Sequence, residues 1–213
     1  GMAHDARFSQ NPFKHLNGYI SNNRFFSFSF RKNQILQPNF LYQYPLTGKG
    51  FLEYEKVGKS VSYFSSDREL LWQKEFKSYP KTGFDGELLL LISGDNNRVF
   101  LSDMNGNLTG EKFIDGNFLS DFAFVPSNGG AALLFSGGGI VRLDSKGKKI
   151  FVVEPNITDF VFFKSICISH TGNFLAVHFL KNENDYISLF DLSGKIVYSR
   201  KMSSVYPHKI FMS

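Results

Sequence analysis

Residues Phe122–Glu154 read FAFVPSNGGAALLFSGGGIVRLDSKGKKIFVVE. Four short apolar runs alternate here with turn signals. Phe122–Val125 is followed by Ser127-Asn128-Gly129-Gly130, and Ala131–Phe135 by Gly137-Gly138-Gly139. Ile140–Leu143 is followed by Asp144-Ser145-Lys146-Gly147, and Lys149–Val153 closes the unit. Runs of this length, rich in Phe, Val, Ile and Leu and punctuated by Gly and Asn, are strands joined by tight turns. Four such strands in succession form an antiparallel meander, the blade of a propeller.

The unit recurs in both directions. Its Asp-x-x-Gly turn reappears as Asp103-Met104-Asn105-Gly106 and Asp191-Leu192-Ser193-Gly194, at steps of roughly 40–47 residues, in the range that marks propellers and solenoids. Downstream lie Ile166–Ser169, the turn His170-Thr171-Gly172, then Phe174–Phe179, Tyr186–Phe190 and Ile196–Arg200. Upstream, Glu87–Ile92, Arg98–Ser102 and Leu108–Phe113 follow a poorly marked strand near Lys77–Lys81. Before them come Phe40–Tyr44, Gly50–Lys56, Ser60–Phe64 and Glu69–Phe76, with Ser65-Ser66-Asp67-Arg68 in place of the Asp-x-x-Gly turn. No window shows the apolar stripe of an amphipathic helix.

The ends complement one another. Tyr19–Arg24 resembles Tyr63–Arg68, so the N-terminus is expected to begin inside a blade, with Phe25–Phe30 as its outer strand. Lys209–Met212 has the register of a first strand, and a second strand must come from Ala6–Phe13. Completing one blade from both termini removes the unpaired terminal edges. The expectation is one all-β domain over residues 2–213, a five-bladed β-propeller of four-stranded antiparallel meanders. Its blades are a composite of 6–33 plus 208–213, then about 39–76, 77–114, 120–154 and 160–201. A partial propeller completed by a partner is the alternative.

The Asp-x-x-Gly-Lys turns, together with Trp72 after the Ser65–Arg68 turn, make the chain similar to WD40-like and quinoprotein-like β-propellers. The resemblance spans nearly the whole chain. It implies the fold and a general tendency to bind partners, and it transfers no activity.

Composition narrows the function classes. The 213 residues are 42% apolar and 20% charged, ordinary for a globular protein, with 25 phenylalanines suited to packing between sheets. The net charge of +5 is dispersed; the densest run, Lys146-Gly147-Lys148-Lys149, sits on a turn. No coherent basic face points to nucleic acid. No apolar stretch approaches the roughly 18 residues of a membrane span. No export signal follows Met2, so a cytoplasmic location is expected. Cys167 lies in an apolar strand and reads as a small core residue. Asn107-Leu108-Thr109 and Asn156-Ile157-Thr158 match the glycosylation triplet, which matters only in a secretory context.

The repeated aspartates have a structural explanation, since Asp accepts local backbone hydrogen bonds and Gly supplies positive φ. The alternating-aspartate loop that calcium needs is missing, and Gly137–Gly139 reads as a strand connection rather than a phosphate loop. No cofactor or metal is expected. The links between second and third strands and from blade to blade share one face. They include Ser93–Asn97, Lys181–Asp185, Gln34–Pro38, Lys77–Gly83, Gly116–Ser120, Asn156–Thr158 and Ser203–Pro207. They are expected to be the longer links and to hold any site. The candidate binding residues there are Asp121, Asp159, His208, Tyr206 and Asp95. Ser120-Asp121-Phe122 and Thr158-Asp159-Phe160 place an acid where the chain enters an inner strand, each expected to cap its own loop. His178, within a strand, reads as a packing or surface residue. No catalytic residue is assigned. The expected function is a non-enzymatic binding or scaffold propeller that recognises a protein, peptide or small ligand and acts as a monomer. The alternative is a hydrolase or carbohydrate-active enzyme at the central channel mouth.

Overall fold

Every apolar run of the Phe122–Glu154 unit becomes a strand, and strands recur along the other described residues. The computed structural model describes residues 18–21, 24–27 and 33–35 (as backbone), and 39–43, 50–55, 58–83, 87–127, 129–155 and 161–202. Nineteen strands lie within them. β1 (Gly18–Ser21), β2 (Arg24–Ser27) and β3 (Asn33–Ile35) form the first sheet. β4 (Phe40–Gln43), β5 (Gly50–Glu55), β6 (Val61–Ser65) and β7 (Leu70–Lys74) form the second. β8 (Ser78–Thr82), β9 (Leu89–Ser93), β10 (Arg98–Ser102) and β11 (Leu108–Asp115) form the third. β12 (Leu119–Phe124), β13 (Ala131–Phe135), β14 (Ile140–Leu143) and β15 (Lys149–Val153) form the fourth. β16 (Val161–Ile168), β17 (Leu175–Lys181), β18 (Asn184–Phe190) and β19 (Ile196–Lys201) form the fifth. Each sheet is an antiparallel meander in sequence order, so no strand crosses over another.

Three expectations are corrected. Lys77–Gly83 is not a link, since Ser78–Thr82 forms β8 and pairs with β9. Phe25 and Phe26 do not lie on an outer strand: Arg24–Phe26 pair with Asn33–Ile35, so β2 has β1 on one side and β3 on the other. The Lys181–Asp185 link is not long either. Lys181 pairs with Asn184 across a two-residue turn, Asn182-Glu183, with φ of 48 and 62. Positive φ at both central positions is the turn whose twist matches a hairpin, and Asn tolerates it readily. The second strand within Ala6–Phe13 and the closing strand Lys209–Met212 lie outside the described residues.

Alternation along the middle strands builds the core. In the run Leu88–Ile92, Leu88, Leu90 and Ile92 pack toward the fourth sheet, while Leu89 and Leu91 pack toward the second. In β13, Ala131, Leu133 and Phe135 face the third sheet, and Ala132 and Leu134 face the fifth. Successive side chains of a strand point to opposite faces, so a strand buried on both faces must be apolar throughout. Burying each leucine contributes about 1.5–3 kcal/mol. The second to fifth sheets are therefore joined face to face in chain order. Arg142 interrupts this apolar pattern: it is fully buried, its Nη1 donates to backbone carbonyls, and burial pushes its guanidinium pKa down.

The Asp-x-x-Gly turns have a second use. Within each, the aspartate Oδ1 accepts backbone N–H groups two and four residues on, as Asp144 does from Lys146 and Lys148, both at 2.9 Å. The glycine takes φ of 75 to 79. Each turn then docks on the outer strand of the preceding sheet. The Trp72 indole N–H donates to the Met104 carbonyl at 2.8 Å, and a Cβ on Gly106 would meet that indole. Glu111 N–H donates to the Gly147 carbonyl at 3.1 Å, and Gly194 lies against Phe151. Ser65 substitutes for the aspartate in the second sheet, accepting from Asp67 and Glu69 N–H, with Arg68 at φ 67 where the others have glycine.

Candidate functional site

Meander topology sends the links between second and third strands, and those between sheets, to the face opposite the Asp-x-x-Gly turns. Two inner strands carry the same irregularity beneath that face. In β12 the register passes from Leu119↔Phe135 to Asp121↔Leu134, and in β16 from Phe163↔Phe179 to Ser165↔His178. Ser120 and Lys164 are thus equivalent bulge residues. Phe118 and Phe162, which precede the bulges by two, are equivalent as well. Both are exposed, at 49% and 65%. The two rings thus present apolar surface to solvent at matching positions of neighbouring sheets.

The bulges also fix where the expected site residues stand. The counterpart of Asp121 in the fifth sheet is Ser165, six residues beyond Asp159. Asp159, Tyr206 and His208 lie outside the described residues. Asp121 reaches across sheets: its Oδ2 accepts the Ile166 N–H at 2.8 Å, which satisfies a donor on the inner edge of β16. That carboxylate stands near Cys167, whose thiol is pushed up to about 11, chiefly by burial. Asp95 works locally. Its Oδ1 accepts from Ser93 Oγ and Asn97 N–H, and the serine hydroxyl is the main cause of its lowered pKa.

A polar cluster the sequence reading missed lies at the same end of the fifth sheet. His178 and Leu180 share a face of β17, and Asp185 stands opposite Leu180. Asp185 Oδ1 lies 2.7 Å from His178 Nε2 and accepts from Lys164 Nζ at 2.7 Å. The histidine side chain is 3% exposed, the aspartate 12% and the lysine 25%. The lysine's hydrogen bond, with the histidine's behind it, holds the Asp185 carboxyl below its ordinary pKa. Ser165 stands opposite His178, so serine, histidine and aspartate gather here without the geometry of a hydrolase. Ser165 Oγ is buried with no hydrogen-bond partner among the described residues, and the carboxylate is shared with a cation. A nucleophile must reach substrate. Only the strand pairing assembles this group; no spacing in the chain signals it.

This cluster makes stability depend on acid. A carboxylate with a depressed folded pKa contributes stability above its unfolded pKa of about 3.9, lost as pH falls through the lower folded value. Asp185→Asn is therefore expected to lower Tm at neutral pH, with the gap to wild type narrowing below about pH 4. Thermal unfolding from pH 3 to pH 7 checks this, and parallel curves would count against it.

A cleft of about 220 Å³ opens on this face at the seam between the third and fourth sheets. The link Asp115-Gly116-Asn117 lines it, with Gly137 and Gly139 opposite. Phe135, Val141, Val152 and Val153 form its bed, and Glu154 and Pro155 its rim. Among the described residues, no group of three or more His, Cys, Asp or Glu side chains is placed to hold a metal ion.

Four-stranded antiparallel meanders, joined face to face in chain order and riveted by Asp-x-x-Gly turns, define the chain as a WD40-like β-propeller fold. Solved structures carry the same likeness. A eukaryotic initiation factor is similar at 13% identity and TM-score 0.62 over 88% of this chain and 52% of that one. Kluyveromyces lactis Hsv2 is similar at 12% identity and TM-score 0.58, over 84% and 56%. The Myceliophteria thermophila Swd1 β-propeller domain is similar at 13% and 0.53, over 78% and 57%. At these identities the likeness is one of fold, and this chain spans little more than half the length of each. No family model matches the chain. No curated protein matches it.

Proposed function

We propose that this chain is a non-enzymatic binding propeller that recognises a protein or peptide through the face opposite its Asp-x-x-Gly turns. The observation that carries the reading is the pair Phe118 and Phe162, equivalent in register and both exposed on that face. The cleft beside Asn117 adjoins the first of them. Catalysis at the channel mouth has less support, because the Asp121 carboxylate is engaged by the Ile166 N–H and its counterpart is a serine. The finer architecture belongs to the same proposal: a monomeric five-bladed ring in which residues 6–33 and 208–213 complete one blade. The propeller fold favours such a role, although fold alone never assigns a function.

Peptides selected from a random displayed library on the immobilised protein test the reading. Truncating both phenylalanines (Phe118→Ala with Phe162→Ala) is expected to weaken the selected peptides at least about tenfold, as loss of an aromatic anchor does. Lys146→Glu, on the opposite face, should leave affinity within about twofold, since rim charges away from a contact carry little energy. The reverse pattern would overturn the proposal.

A further inference from the structure

We infer that the cleft between the third and fourth sheets is a pocket for a single basic side chain, lysine or arginine, of a bound peptide. The inference rests on the binding role proposed above and specifies the chemistry of one subsite.

Size comes first. At about 220 Å³ the cleft is smaller than the roughly 300 Å³ at which sites for drug-sized ligands begin, so its scale is that of one side chain. The lining then sets the chemistry. Phe135, Val141 and Val152 offer an apolar bed for an alkyl stem, with Pro155 at the rim. Two carboxylates, Asp115 and Glu154, stand among the lining residues, and no lysine or arginine does. Asp115 is already paired, in two contacts, with Arg98. The Arg98 guanidinium also lies 4.5 Å from the Phe113 ring centroid, so a cation held by carboxylate and aromatic ring already exists beside the cleft. Glu154 is exposed and makes no hydrogen bond or ion pair among the described residues, which leaves one negative charge at the rim. An alkyl stem carrying a cation buries its methylenes on the bed while its head stays at the wet rim. One unpaired carboxylate is too few for a divalent metal, and an anion would be repelled.

The glycines support an open pocket. Gly116 is needed for packing, since a Cβ there would strike the Phe135 ring at 2.1 Å. Gly137 and Gly139 are different: neither lies in the positive-φ region that demands glycine. A Cβ at Gly137 would sit 3.3 Å from the Pro155 Cβ and 3.5 Å from Asn117 Nδ2, within the cleft. Glycine at this position keeps the space free without any backbone requirement for it.

Titration of the 15N-labelled full chain with N-acetyl-arginine amide and N-acetyl-lysine amide tests the inference, with N-acetyl-citrulline amide as the neutral control. Expected are saturable shifts at Asn117, Gly137, Gly139 and Val152 with Kd on the order of 1 mM, and at least about fivefold weaker binding of citrulline, which lacks the charge-assisted hydrogen bond. Glu154→Gln, an exposed isosteric change, should weaken the cationic probes to the citrulline level. Gly137→Leu should abolish their binding. If that variant folds poorly, Glu154→Gln alone decides. Equal binding of citrulline, unchanged affinity in Glu154→Gln, or shifts confined to other residues would overturn the inference. Selected peptides that still depend on Phe118 and Phe162 would then show that the subsite, and not the broader binding role, had failed.

Discussion

Gly110→Val is expected to lower unfolding free energy by about 3–5 kcal/mol, combining backbone strain with the loss of two hydrogen bonds. Gly110 lies in β11 at φ 58, a conformation that a β-branched residue adopts only under strain. Its missing Cβ faces the next sheet's turn: an added carbon would lie 2.3 Å from both the Gly147 carbonyl carbon and its oxygen, and 2.5 Å from the Lys146 oxygen. Those atoms are backbone and have no rotamer to yield. The turn must therefore lift away, breaking the Glu111 N–H bond to the Gly147 carbonyl and the Thr109 hydroxyl bond to the Lys146 carbonyl. A Tm fall of roughly 10 °C follows for a chain of this size. The matched control is Gly94→Ala, where an added Cβ meets nothing within 4 Å, and a change within about 0.5 kcal/mol is expected. Calorimetry of the two variants separates a rivet between sheets from a general intolerance of glycine replacement, which would destabilise both alike.

Leu133→Ala is expected to cost about 2–5 kcal/mol, the range for truncating a fully buried leucine. Leu133 is completely buried in the core shared by the third and fourth sheets, alongside Leu90 and Leu101. Leu134, the next residue, serves the other interface, with Ile166 and Val177. The two faces make a sharper prediction than the single cost. Leu90→Ala combined with Leu133→Ala should be non-additive by about 0.5–3 kcal/mol, because both empty the same core. Leu90→Ala combined with Leu134→Ala should be additive within about 0.5 kcal/mol. Denaturant titrations of the singles and doubles measure this. Equal coupling in both pairs would mean that the sheets do not pack as separate face-to-face interfaces.

The strands were legible because their signals are local. Ala131–Phe135, Ile140–Leu143 and Lys149–Val153 are bounded by turn residues whose chemistry acts over two to four positions, and the structure places strands over those same spans. The Asp-x-x-Gly turns were readable for the same reason. Trp72 marked a resemblance without an explanation in sequence; its partner, the Met104 carbonyl, lies on another sheet. The equivalence of Asp121 and Asp159 was suggested by the similarity of their flanking residues. Bulges at Ser120 and Lys164 set a different correspondence, because one extra residue in a strand re-phases everything around it.

What the sequence determined by itself is the meander: period, turn chemistry and the two-sided apolar pattern of the middle strands. These follow from backbone conformation and solvent exclusion, which act on neighbouring residues. Only the tertiary structure decided which side chains meet. Lys164, His178 and Asp185 gather through the register of three strands, and Phe118 repeats as Phe162 through two matched bulges. The cleft beside Glu154 exists because the links of two sheets adjoin across a seam. Such contacts depend on register between distant segments, and pairing energy is settled over a whole sheet rather than at any one residue.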